Sequence, residues 1–223
     1  MKIVIGLVGV KTSGKSTAAN IIKNILGENV IESALADKLK KASSEVFGVP
    51  RWAFDSQLLK ERQFIFPRTL GRNEIESVLS MFGITPTDEL MSRYSKVTGM
   101  ELNSPRQIAQ IVGTEILRNA GDEDIHCKNV NLSDKITIIS DIRFPNEFSY
   151  FKNLSNAYFL PFYIQRDEAE NKITPDSHSS ETSVFMFRDK CIKINNNDGL
   201  QDLEKQIKSH LRCTGLEFKG HNL

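Results

Sequence analysis

The sequence predicts an α/β fold with a mainly parallel sheet, and three observations carry that prediction. Ile3, Val4, Ile5, Leu7 and Val8 form a near-continuous apolar run, as a strand covered on both faces requires. A glycine-rich turn follows directly and opens into a helix with one apolar side. Short apolar strands then alternate with helical stripes to the end of the chain, the pattern of parallel strands joined by crossover helices.

Taken in order, the first helix spans about Ser16 to Leu26, with Ala18, Ile22, Ile25 and Leu26 on its apolar side and Gly27 as its stop. Val30 and Ile31 suggest a short strand. Leu35, Leu39, Ala42 and Val46 mark a helical stripe that ends near Gly48 and Pro50. From Arg51 to Gly99 the pattern is helical and more polar, broken at Pro67, Gly71, Gly83 and Pro86, and reads as an inserted helical subdomain. Ser104-Pro105-Arg106-Gln107 is a sharp helix start: an N-cap serine, proline at N1 and glutamine at N3. Ile136 to Ile139 read as a buried strand ending in Ser140-Asp141. Phe162, Tyr163 and Ile164 suggest a further strand, and Cys191 to Ile194 the last. Leu200, Leu203, Ile207 and Leu211 line one side of the final helix, and the polar end after Arg212 predicts a disordered tail.

The chain has 223 residues and a formal net charge of +1, an ordinary globular balance that gives no support for a polymer-binding basic field. Cys127, Cys191 and Cys213 are scattered and form no Cys-x-x-Cys pair, which argues for reduced thiols in the cytoplasm rather than a disulfide framework or zinc site. The apolar stretch from Met1 to Val10 is too short to span a membrane. Together these predict an intracellular protein with no membrane partner.

Gly9-Val10-Lys11-Thr12-Ser13-Gly14-Lys15-Ser16 matches the Walker A pattern in full. Its glycines let successive backbone N–H groups, among them those around Lys11, Ser13 and Gly14, point at phosphate oxygens. The helix that follows adds its positive end near Ser16 and Thr17. Lys15 is expected on the β- and γ-phosphates and the Ser16 hydroxyl on Mg²⁺. Asp141, at the end of an apolar strand, stands where a carboxylate orders that cation or its water shell. Arg143, two residues on, is a candidate for acceptor or transferring phosphate.

At about 100° per residue, Arg106, Gln110, Gly113 and Thr114 share one side of the helix opened by Ser104. They offer a guanidinium fork, an amide, a bare backbone patch and a hydroxyl, groups suited to a phosphate and a planar base. Ile108, Ile111, Val112 and Ile116 take the other side, with Glu115 projecting among them, where an unpaired charge is costly. Asp176 to Glu181, preceded by Arg166 at a strand end, reads as a polar flap able to close over phosphates and exclude water. Neither His126 with Cys127 nor His178 has a recognised metal spacing.

Four segments together resemble bacteriophage-type deoxynucleoside monophosphate kinases: Gly9 to Thr17, Ser104 to Gln107 running into Gln110-Ile111-Val112-Gly113-Thr114-Glu115, Ser140-Asp141-Ile142-Arg143-Phe144-Pro145-Asn146-Glu147, and Asp176 to Glu181. The resemblance implies a P-loop kinase fold of three α/β/α layers over residues 1–223, with a helical acceptor-binding insertion at about 35–118 and a lid at about 166–183. It implies transfer from ATP with Mg²⁺ to a deoxynucleoside 5′-monophosphate, and often a dimer. Carried across, Arg106, Gln110, Gly113, Thr114 and Asp141 become acceptor-site residues, Lys15, Arg143 and Arg166 work at the phosphates, and Ser16 and Asp141 serve the metal. Asn197-Asp198-Gly199 resembles the turn near adenine in these kinases and in dephospho-coenzyme A kinases. Two positions depart from the pattern: Ser16 stands where relatives often have aspartate, and Gln107 where they can carry a second basic residue. Alternatives from the residues alone are a P-loop kinase for another phosphorylated metabolite and an NTP-hydrolysing switch. Asn195-Asn196-Asn197-Asp198 lacks the lysine of the GTPase Asn-Lys-x-Asp motif.

Overall fold

Buried apolar strands pair in parallel to make the central sheet. The computed structural model describes residues 2–56 and 58–214. Its strands are β1 (Lys2–Val8), β2 (Val30–Ser33), β3 (Ile136–Ile142), β4 (Ala157–Gln165) and β5 (Ile192–Asn195), in the spatial order β2-β3-β1-β4-β5. Every pairing in this sheet is parallel, with Val4 opposite Thr137 and Leu7 opposite Phe162. The expected α/β class with a parallel sheet is therefore what the chain adopts.

Strand alternation sends successive side chains to opposite faces of the sheet. On one face Leu160, Phe162 and Ile164 of β4 join Ile5, Leu7 and Ile138 in packing against Ala18, Ile22 and Leu26 of the helix Lys15–Leu26. The same cluster takes in Leu203, Ile207 and Leu211 of the helix Leu200–Cys213. On the other, Phe159 meets Phe148 and Phe151 of the helix Pro145–Lys152 at ring separations of 5.4 and 6.0 Å. Helices thus flank both faces.

Two expected boundaries move, for physical reasons. β4 begins five residues before Phe162 and runs through Pro161. Proline lacks the ladder donor, but pairing to β5 starts only at Phe162 opposite Ile192, so no bond on that edge is lost. Leu200, expected on the apolar side of the last helix, is 61% exposed at its first position, while Leu203, Ile207 and Leu211 are buried. That helix runs to Cys213, the first residue of the expected disordered end; residues 215–223 of that end lie outside the described residues.

The strands, together with the helices just described, belong to one compact unit of residues 1–35 and 130–223; a second unit covers 36–129. The second is helical: Ala36–Phe47, Arg51–Asp55, Arg72–Met81, Asp88–Ser92 and Pro105–Gln110, with a two-residue antiparallel pairing of Arg68–Thr69 with Glu101–Leu102. Its core gathers Leu70, Ile75, Leu79, Leu102, Ile108, Val112 and Ile116, and buried Tyr94 donates its hydroxyl to the Ile116 carbonyl at 3.0 Å. Beyond Gln110 the helix widens into seven residues of π-helix, Ile111–Leu117. No described helix is long and apolar enough to cross a membrane.

Candidate active site

The turn after β1 is held open by three left-handed or near-left-handed residues: Gly9 at φ 146°, Thr12 at 66° and Gly14 at 104°. Alternation of this kind turns backbone N–H groups toward a common centre, the geometry of an anion nest. Asn196, after β5, closes the far wall. Its Nδ2 donates to the Ser13 carbonyl at 2.7 Å and occupies the space a Gly14 side chain would need, only 2.2 Å from where a Cβ would sit. Ser13 is fully buried and its N–H donates to Val10 at 3.2 Å, which fixes the bend. Ser16 and Thr17 are exposed at the helix start.

Lys15 is folded back into this loop, its Nζ donating to the carbonyls of Gly9 at 2.6 Å and Val10 at 2.7 Å. Burial, and then the neighbouring Arg143 guanidinium, push the ammonium down to about 8, against Glu181 and Asp141, whose charges hold it up. At neutral pH it keeps its charge. Loop carbonyls are neutral acceptors, weaker partners for an ammonium than an anionic oxygen would be.

Asp141 lies near the end of β3, and its Oδ1 accepts from the Leu35 N–H at 2.7 Å. Arg143 follows the strand. Its own N–H donates to Glu147 at 2.8 Å, as does that of Phe144 at 3.1 Å, so the buried Glu147 carboxylate shapes the turn into the next helix. The guanidinium reaches Glu181 at 2.7 Å and Ser180 Oγ at 3.2 Å. Glu181 also accepts from the Lys11 N–H at 2.5 Å. Lys11, Lys15, Asp141, Arg143 and Glu181 thus form one charged cluster around the loop.

Arg166, expected at the phosphates, extends from the end of β4 and pairs with Glu168 at 3.1 Å. Asn197 Oδ1 accepts from Asp167 N–H at 3.0 Å, Asp198 accepts from Asn195 Nδ2 at 3.4 Å, and Gly199 turns at φ 94° into the last helix. The asparagine that touches the loop is Asn196, one residue before the expected turn.

In the second unit the Ser104 cap forms as read. Ser104 Oγ accepts from Gln107 N–H at 3.2 Å, and Gln107 Oε1 accepts from Asn103 N–H at 2.7 Å, so Gln107 serves the helix start. Arg106 Nε lies 2.6 Å from Glu61 Oε1, but without directed hydrogen-bond geometry, so the contact is coulombic. Gln110 is half-buried and Thr114 exposed. Gly113 sits elsewhere: the π turn advances fewer degrees per residue than the expected period, and Gly113 rotates inward. It is buried, a Cβ there would be 3.0 Å from Leu39 Cδ2, and its carbonyl faces His126 Nε2 at 3.3 Å. The same rotation takes Glu115 off the centre of the apolar side, where Asn119 Nδ2 lies 3.4 Å from it.

Comparison with known proteins adds a likeness that spans the chain. It is 29% identical, over 226 aligned residues, to a protein of Acanthamoeba polyphaga mimivirus that carries the provisional name deoxynucleotide monophosphate kinase; the match covers 93% of this chain and 95% of the other. The resemblance read from the motifs is borne out. No family model matches. At 93% of the chain, the similarity extends over both compact units.

The loop residues suit a nucleoside triphosphate. A carboxylate already lies on the Lys11 N–H, a stand-in anion where a phosphate oxygen would be received. Ser16 and Asp141, the cation donors expected from the sequence, supply a hydroxyl and a carboxylate; among the described residues no group of three or more His, Cys, Asp or Glu could hold a metal. One or two hard oxygens completed by phosphates and water is the way Mg²⁺ is ordinarily bound.

Proposed function

We propose that this protein is a kinase that transfers the γ-phosphate of ATP to a deoxynucleoside 5′-monophosphate, releasing ADP and the deoxynucleoside diphosphate. The observation that carries this reading is a Walker A loop that already receives an anion, in a chain similar over 93% of its length to a protein named as a deoxynucleotide monophosphate kinase.

ATP phosphates lie against the amides of Gly9 to Thr17, with Lys15 leaving the Gly9 and Val10 carbonyls for the β- and γ-oxygens. Ser16 and Asp141 would hold Mg²⁺, which would supply charge neutralisation at the phosphates. Arg106, Gln110 and Thr114 bind the acceptor, with Gly113 keeping their helix close against Leu39. Asp141 contributes on the acceptor side, and Asn197 to Gly199 lie by the adenine.

An acceptor 5′-phosphate oxygen attacks the γ-phosphorus in line. One P–O bond forms as the bond to the β–γ bridging oxygen breaks, and the electron pair leaves with ADP. No general base is needed, since the attacking oxygen is already ionised at neutral pH. Positioning and neutralisation by Lys15, Arg143 and Arg166 supply the rate.

A coupled assay of ATP–Mg²⁺ against the common NMPs and dNMPs tests this. Diphosphate is expected from at least one dNMP, and Lys15→Ala is expected to lower that rate by about 10²–10³-fold with the fold intact by circular dichroism. ATP hydrolysis that ignores every monophosphate, or near-wild-type turnover in Lys15→Ala, would refute the assignment.

A further inference from the structure

The anion lying in the phosphate loop is the chain's own. Glu181 belongs to the short helix Ser179–Thr182, between β4 and β5. Its carboxylate takes two donors at once, the Lys11 N–H at 2.5 Å and the Arg143 guanidinium at 2.7 Å, and its side chain is only 15% exposed. Arg143 is further tied to the same helix through Ser180 Oγ at 3.2 Å. Charge-assisted bonds of this kind are the strong ones.

The cluster explains why a carboxylate is held there. Arg143 is close enough to disfavour the charge on Lys15, and the loop adds inward-facing amides. An empty nest with two cations is unfavourable; one carboxylate relieves it. Phosphate oxygens make the same demands on the same donors, so the two anions cannot both be satisfied.

We propose that Glu181 is an internal competitor for the nucleotide's phosphates: it occupies Lys11 N–H and Arg143 while the loop is empty and is displaced when a triphosphate enters. The inference rests on the donor-site reading above and adds a regulatory element to it. Displacement releases Arg143 only when there is a phosphate to receive it, so nucleotide entry and assembly of the cationic site become one event. A site available only part of the time binds more weakly by that fraction; a latch closed about nine-tenths of the time weakens apparent nucleotide affinity about tenfold.

The test is calorimetric titration of adenylyl imidodiphosphate with Mg²⁺ into the full chain, into Glu181→Gln and into Glu181→Asp. Glu181→Gln removes the charge and is expected to bind about tenfold tighter. Glu181→Asp keeps the charge but withdraws it by one methylene, and about threefold tightening is expected. Melting separates competition from a merely structural role. Glu181→Gln should lower Tm without nucleotide and regain the wild-type value at saturation, whereas a structural defect lowers both. Wild-type binding with either folded variant unchanged or weaker overturns the latch and leaves the donor site standing. No binding by wild type or variants overturns the donor-site reading, and the latch falls with it.

Discussion

His126 shows how one buried side chain fixes an acid limit on this protein. It is 6% exposed, its Nε2 faces the Gly113 carbonyl, its Nδ1 has no hydrogen-bond partner, and the edge of Phe82 packs against it. Burial, followed by the Arg118 charge, pushes the imidazole down to about 4, only partly opposed by the Gly113 carbonyl. The unfolded chain takes up this proton near pH 6.5 and the folded chain does not until about pH 4. Stability is therefore lost as pH falls through that window, up to about 3 kcal/mol in all. Urea midpoints at pH 7.5 and pH 5 should show wild type losing about 2 kcal/mol more than His126→Gln. Equal losses would mean that His126 is hydrated or paired in the folded state.

At the scale of elements, the helix that opens at Ser104 separates what a sequence can show from what it cannot. Its start is decided by a few neighbouring residues, so it is legible: proline at N1, Ser104 Oγ accepting from Gln107 N–H, and Gln107 Oε1 accepting from Asn103 N–H. Ser104→Ala strands one amide and should cost about 1 kcal/mol. Scanning calorimetry should show a Tm about 2–4 °C lower for a chain of this size; an unchanged Tm would mean that the cap is redundant. The π turn seven residues on was not legible, because a 3.6-residue period has no way to announce its own failure. Gly113 consequently sits under Leu39 rather than on the open side. The sequence announces β4 only from Phe162, since Pro161 ordinarily argues against a strand and the late start of β5 cannot be read from local residues. Glu181 and Asn196 reach the loop across 170 and 183 residues of chain, separations at which no motif spacing carries information. Asn196 had a near signal in its neighbour Asn197.

At the scale of the molecule, the chain leaves one compact unit after Leu35 and returns to it at Val130, and each unit has its own buried apolar cluster. The strand order β2-β3-β1-β4-β5 puts β1 between β3 and β4, so the phosphate loop, Asp141 and Arg166 all emerge from the carboxyl ends of adjacent strands. Ligands of parallel α/β sheets bind at such ends. The capped helix lies wholly within the other unit. If donor and acceptor are divided in this way, each ligand slows local opening where it binds, because it stabilises the closed form alone. Hydrogen exchange followed by mass spectrometry reads this directly. Adenylyl imidodiphosphate with Mg²⁺ should protect amides over residues 9–16, and a dNMP accepted in the assay should protect residues 104–117. On the proposed reading Arg106 offers its charge to the acceptor and takes no part in the phosphate loop, so Arg106→Ala should abolish the second protection and spare the first. A dNMP that protected only the loop would move the acceptor off the capped helix and leave Arg106 as the counter-ion of Glu61.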